Sequence, residues 1–156
     1  MRLPYDMLAR DGIEALNGVH AYVRECGLEK PLVDLTCLRA SQINGCAYCI
    51  DAHMHAAMAG GASLDKLILL PVWREAEVCF TDRERAALEW AELVTWVAGN
   101  QVPDEAFLAA QEQFSDQEMA DLTLAIAWIN AHNRLAISFR RTPASLAGID
   151  ERRLIQ

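Results

Sequence analysis

Ser41-Gln42-Ile43-Asn44-Gly45-Cys46-Ala47-Tyr48-Cys49-Ile50-Asp51-Ala52-His53-Met54-His55 continues through alanine-rich sequence to Gly60-Gly61 with no breaker between. The Asn-Gly pair reads as a turn, Asn44 as a helix N-cap and the paired glycines as a stop. The stretch therefore predicts a helix over about 45–59, with both cysteines in its first turns. Residues three and four apart share a helix face, with Cβ atoms roughly 5–6 Å apart. Cys46 and Cys49 are then within reach of a disulfide, whose Cα atoms are usually about 4.4–6.8 Å apart. His53 stands one turn beyond Cys49 on the same face, placed to exchange a proton with its sulfur. The amides and positive dipole end of a helix N-terminus favour a thiolate. The pattern points to a reactive dithiol.

Outward from this helix, the remaining chain repeats the same kind of signal. Leu8, Ile13, Leu16, Val19, Tyr22 and Val23 recur at helical spacing and predict a helix over 5–26, ended by Gly27 and a second breaker, Pro31. A short helix is expected from Leu32 to Ala40, carrying Asp34. Ser63 caps the next one, and Pro71 and Trp73 mark a bend. Thr81 with Glu84, and Ser115 with Glu118, are capping boxes. They open helices expected to reach about Val97 and Phe139. Pro103-Asp104-Glu105 opens another between them. From Leu122 to Ala131 the last helix is apolar nearly all round, which predicts a central or interface position. Pro143 is expected to end the ordered part, with the tail from Ser145 to Gln156 fraying. No segment alternates as a strand does, so the fold class is all-α, one domain over 1–156.

Whole-chain properties narrow the function. The 156 residues are 53% hydrophobic, enough for a core, and the formal net charge is −8. An acidic chain is a poor match for nucleic acid or anionic membrane. The N-terminus lacks the apolar run of a signal peptide, and no stretch approaches a membrane span. A cytoplasmic location is expected. Five cysteines in a reducing compartment argue against a disulfide framework. Cys26, Cys37 and Cys79 read as inert, buried residues.

Other readings of the motif are weaker. A thioredoxin-like Cys-x-x-Cys follows a strand in a βαβ unit, and none precedes Cys46. A zinc site built from Cys46, Cys49, His53 and His55 stays as a third reading, weakened because His55 faces away from the others and one helix cannot close a tetrahedron with all four. His132 reads as part of a buried polar network, and Trp73, Trp90, Trp96 and Trp128 as core or interface. Tyr48 is placed either to pack over the thiols or to donate a hydrogen bond. From spacing alone, Asp34 is a solvated surface acid.

The run Leu38–His53, with Gly60-Gly61, resembles the signature of the alkylhydroperoxidase AhpD-like proteins of the carboxymuconolactone decarboxylase superfamily. The likeness covers roughly residues 14–100 and returns at Asn133–Phe139. It implies an all-helical fold that forms homo-oligomers, trimers or hexamers, with peroxidase activity drawn from the dithiol. By position, Cys49 matches the family's peroxide-attacking cysteine, Cys46 its resolving partner and His53 the histidine of its proton relay. Asp34 falls where the family usually has glutamate, one methylene longer. Tyr48 stands where some members place a histidine. The lactone-decarboxylating branch does not rely on this cysteine pair, so decarboxylation is not expected.

The resulting expectation is a thiol peroxidase with Cys49, Cys46, His53 and Asp34 as its site. It needs no organic cofactor and no metal, takes a hydroperoxide as substrate, and is re-reduced by a lipoyl-bearing or thioredoxin-like protein. The alternative is a redox sensor or disulfide exchanger that uses the same dithiol without peroxide turnover.

Overall fold

The computed structural model describes residues 1–147, which form helices and connecting turns with no strand among them. Local capping chemistry sets many of the helix ends. Nine α-helices are described: α1 (Tyr5–Leu8), α2 (Arg10–Val23), α3 (Lys30–Asn44), α4 (Ala47–Ala59), α5 (Leu64–Leu69), α6 (Asp82–Thr95), α7 (Val97–Asn100), α8 (Asp104–Gln111) and α9 (Asp116–Phe139). Both expected capping boxes close, with Thr81 and Ser115 each exchanging bonds with a glutamate three residues on. Ser63 caps α5 by accepting the Lys66 amide at 3.2 Å.

Several boundaries differ from those expected. The single helix over 5–26 breaks at Ala9 (φ −115°, ψ 41°) and ends at Val23. The break has a tertiary cause. The Arg2 amide donates to the Phe139 carbonyl at 2.7 Å, and the buried Tyr5 ring stacks on Phe139 at 5.2 Å, so α1 follows the end of α9. Pro31 starts α3 rather than preceding it, because an N–H missing from the first turn leaves nothing unpaired. The same helix runs past Ala40 to Asn44. Ser41 Oγ donates to Cys37 O and to Asn133 Oδ1, and Asn44 Nδ2 donates to Asn130 Oδ1 at 2.8 Å, so its polar end is anchored on α9. Beyond Pro143 the chain does not fray at once: Ala144–Leu146 form a 3-10 turn, and the Ser145 amide donates to Asp51 on α4. The rest of the expected tail, residues 148–156, lies outside the described residues.

The central helix is α3, packed against α4, α6 and α9. Leu32, Val33, Cys37 and Ala40 face one apolar cluster with Leu122, Ile126 and Ile129 of α9. Leu35 and Leu38 face a second, with Leu67, Leu70, Trp73, Phe80 and Leu88. Each fully buried leucine contributes about 1.5–3 kcal/mol. The apolar run of α9 is buried at Leu122, Ile126 and Ile129, on the side that meets α3, while Leu124 is exposed. Among the described residues no helix is long and apolar enough to cross a membrane.

Candidate active site

The cysteine pair sits where α3 hands over to α4. Gly45 takes a left-handed conformation (φ 68°, ψ 33°), which ends α3 and costs glycine nothing sterically. The expected cap therefore shifts: Asn44 closes the earlier helix, and Cys46 is the N-cap of α4. Its Sγ accepts the Cys49 amide at 3.4 Å. Both thiols are free and buried, with residue exposures of 1% for Cys46 and 4% for Cys49.

This arrangement divides charge unequally. The Cys46 thiol is drawn below its ordinary range, first by a hydrogen bond from the Cys49 thiol and then by the amides of Cys49 and Tyr48, against burial. Cys49 is pushed up, because its proton is held by Cys46 and burial disfavours a second charge. Arg141 works in the opposite direction on Cys49. The pair thus ionises more readily than an isolated buried thiol would, and the α4 amides favour the Cys46 sulfur.

Cys49 opens onto a cavity of about 490 Å³ that is also lined by His53, Asp34, Trp128, His132 and His20. Trp128 of α9 is its floor. The His20 ring stacks on Trp128 at 4.2 Å, His132 lies 4.8 Å away and tilted, and His53 meets it edge-on at 6.1 Å. His53 Nδ1, His132 Nε2 and Trp128 Nε1 are buried without a hydrogen-bond partner. Burial holds His53 down to about 4, against the opposing pull of Asp34 and with help from His20 and His132. His53 is therefore a neutral imidazole at pH 7, a weak base whose affinity for a proton the Asp34 charge raises.

Asp34 is buried in the same cavity, not on the surface as spacing alone suggests. Its Oδ2 pairs with Lys30 Nζ at 2.9 Å, and it acts on His53 by charge. His55 points outward, 3.6 Å from Asp51 and 71% exposed at its side chain. Cys37 is buried and its thiol raised by desolvation, then by Asp34; Cys26 and Cys79 are half-buried. Trp96, expected in core or interface, is exposed in the monomer. No three of the His, Cys, Asp and Glu side chains among the described residues gather as a metal-holding group.

Tyr48 packs with its ring under the Arg141 guanidinium, 4.4 Å from the centroid. Sequence reasoning missed Arg141 and His20 and placed His132 and Trp128 in structural roles. For Arg141 there was no local signal, since it lies two residues before Pro143, where the ordered part was expected to end. For His132, the signal was its one-turn offset from Trp128, which puts both on one face of α9.

A family model described as "Carboxymuconolactone decarboxylase family" matches residues 10–93. The Bacillus subtilis protein YdfG is 31% identical over 144 residues, spanning 92% of this chain and 97% of the relative. Among solved structures, a candidate AhpD antioxidant-defence protein from Agrobacterium tumefaciens superposes with a TM-score of 0.87 at 39% identity, covering 91% of this chain and 97% of that one. An alkylhydroperoxidase AhpD core protein from Ralstonia eutropha JMP134 shares the fold, with a TM-score of 0.76 at 23% identity over 86% and 71% of the two chains. Helical architecture, a cysteine pair at the start of α4 and these matches agree, and the chain belongs to the carboxymuconolactone decarboxylase family.

Proposed function

We propose that the protein is a thiol-dependent hydroperoxidase. The observation that carries this reading is a free dithiol at a helix N-terminus whose second sulfur shares one cavity with a neutral histidine. Cys49 thiolate attacks the terminal oxygen of ROOH. The S–O bond forms as the O–O bond breaks, leaving Cys49 as sulfenic acid and RO⁻, which takes a proton and departs as ROH. Cys46 thiolate then attacks the Cys49 sulfur; the S–S bond forms, the S–O bond breaks, and hydroxide takes a proton to leave as water. His53, biased by the Asp34 charge, relays these protons. A dithiol reductant, either lipoyl-bearing or thioredoxin-like, returns two electrons and two protons. The chemistry needs no organic cofactor or metal. Exposed Trp96, Val97, Phe107 and Leu108 support assembly into a homo-oligomer, trimer or hexamer, that would cover them.

The test is consumption of an organic hydroperoxide by reduced protein with a dithiol reductant. Turnover is expected in the wild type and absent in Cys49→Ser. Full turnover in Cys49→Ser would overturn the assignment. A second reading, a redox sensor or disulfide exchanger, is favoured by one observation: the α4 amide is given to Cys46, not to the sulfur that lines the large cavity. It predicts rapid formation of the Cys46–Cys49 disulfide without repeated turnover.

A further inference from the structure

Arg141 lies outside the matched family segment and outside every motif read from the sequence. Backbone and side-chain contacts both fix its place. Arg140 adopts the left-handed conformation (φ 50°, ψ 56°) that ends α9, and the Arg141 amide returns to the Ala136 carbonyl at 2.9 Å. The side chain thereby folds back over the start of α4. Its guanidinium stacks on Tyr48, donates to the Tyr5 hydroxyl at 3.0 Å and lies 3.8 Å from Asp6. Tyr5 is brought there by α1, which is clasped to the end of α9. A second cavity of about 190 Å³ lies beside Cys46. Among the described cations, Arg141 alone lines both this cavity and the larger one at Cys49.

The sulfur that accepts the α4 amide is Cys46, whereas the sulfur facing the large cavity is Cys49, and this leaves the mechanism one step short. We propose that Arg141 is the positioning residue that turns Cys49 into the attacking sulfur. Its fixed positive charge on the cavity side of the pair favours transfer of the Cys49 proton to Cys46. The step is balanced within the protein: the Cys49 S–H bond breaks, the Cys46 S–H bond forms, and the negative charge moves from Cys46 to Cys49. The inference rests on the hydroperoxidase reading for its purpose but not for its test.

Other charged and titratable groups face the pair. His53 is on α4 itself, Cys37 and Asp34 come from α3, and His132 from α9. His20 and Arg24 of α2, with Asp6 and Tyr5 of α1, line the outer cavity. All are unchanged in a comparison of Arg141 variants.

The experiment follows the pH dependence of iodoacetamide alkylation at Cys49 in Cys46→Ser protein, with the modified peptide resolved by mass. Arg141→Met is expected to raise the alkylation midpoint by about one unit, roughly tenfold less thiolate at a given pH. Arg141→Lys, which keeps the charge, is expected to restore most of it. In the two-cysteine protein the same Met substitution lowers kcat/KM for hydroperoxide about tenfold, and Lys rescues it. An unchanged midpoint in Arg141→Met with an intact helical spectrum would overturn the proposal, as would a Lys variant displaced as far as Met. Because alkylation needs no hydroperoxide, a wild type that fails to turn over peroxide would sink the functional reading alone.

Discussion

Two buried polar clusters in this molecule have opposite characters. Around Glu92 every acceptor is used. Oε1 takes Arg39 Nε at 2.8 Å and Trp73 Nε1 at 2.9 Å, and Oε2 takes Arg74 Nη1 at 2.5 Å. Burial would raise this carboxyl, but the bonds from Arg74, Trp73 and Arg39 hold it below its ordinary range. The cysteine cavity is the reverse: three of the five orphaned buried polar atoms among the described residues belong to side chains that line it. An unmet buried polar group costs about 1–3 kcal/mol. The lesson is that satisfied polar burial here ties α3, α6 and the turn at Trp73 and Arg74 together, while unsatisfied polar burial collects in the cavity of the candidate site.

Substitutions can break that contrast. Cys49→Ser should reduce hydroperoxide turnover by ~10³-fold or more and leave the unfolding midpoint in urea nearly unchanged; a large stability loss with retained turnover would reverse the roles assigned to the two clusters. Glu92→Ala should do the opposite. It strands the Arg39 charge, whose side chain is only 13% exposed, and is expected to destabilise by about 3–5 kcal/mol. Turnover per folded molecule should persist, as a urea titration paired with an activity assay would reveal.

His53 sharpens the comparison because it links both properties. Its folded value of about 4 lies below the ordinary 6.5. Between those values the unfolded chain binds a proton that the folded chain refuses, so stability is present above 6.5 and lost as pH falls toward 4. The whole effect is about 3 kcal/mol. His53→Gln should flatten that acid limb when unfolding is measured at pH 7 and pH 4.5, and should slow peroxide reduction roughly 10²-fold. Equal acid slopes in the two proteins would remove His53 from the list of buried titrating groups. The smallest effect belongs to a residue in neither cluster: Ser115→Ala should cost about 1 kcal/mol by removing the α9 cap, with turnover untouched, readable as a small drop in Tm.

Legibility followed the range of the interaction responsible. Thr81–Glu84, Ser115–Glu118 and Ser63 signalled helix starts because a cap is satisfied within three residues. Cys46, Cys49 and His53 were legible for the same reason, since one turn of helix fixes their neighbourhood. Asp34 was not: its burial depends on α3 packing against α4 and α9, and spacing alone left it on the surface. The extension of α3 to Asn44 was hidden likewise, because the partners of Ser41 and Asn44 are Asn133 and Asn130, about ninety residues away in sequence.

By itself, then, the sequence determined an all-helical chain, most of its caps and a close cysteine pair with a histidine one turn on, all set by the period of a single helix. Tertiary structure alone decided that His20, His132 and Trp128 build the cavity Cys49 faces, that Cys46 lies beside a separate one, and that Arg141 reaches both. The physical reason is that burial and electrostatic fields are sums over neighbours from several helices, and no local pattern records which helices will meet.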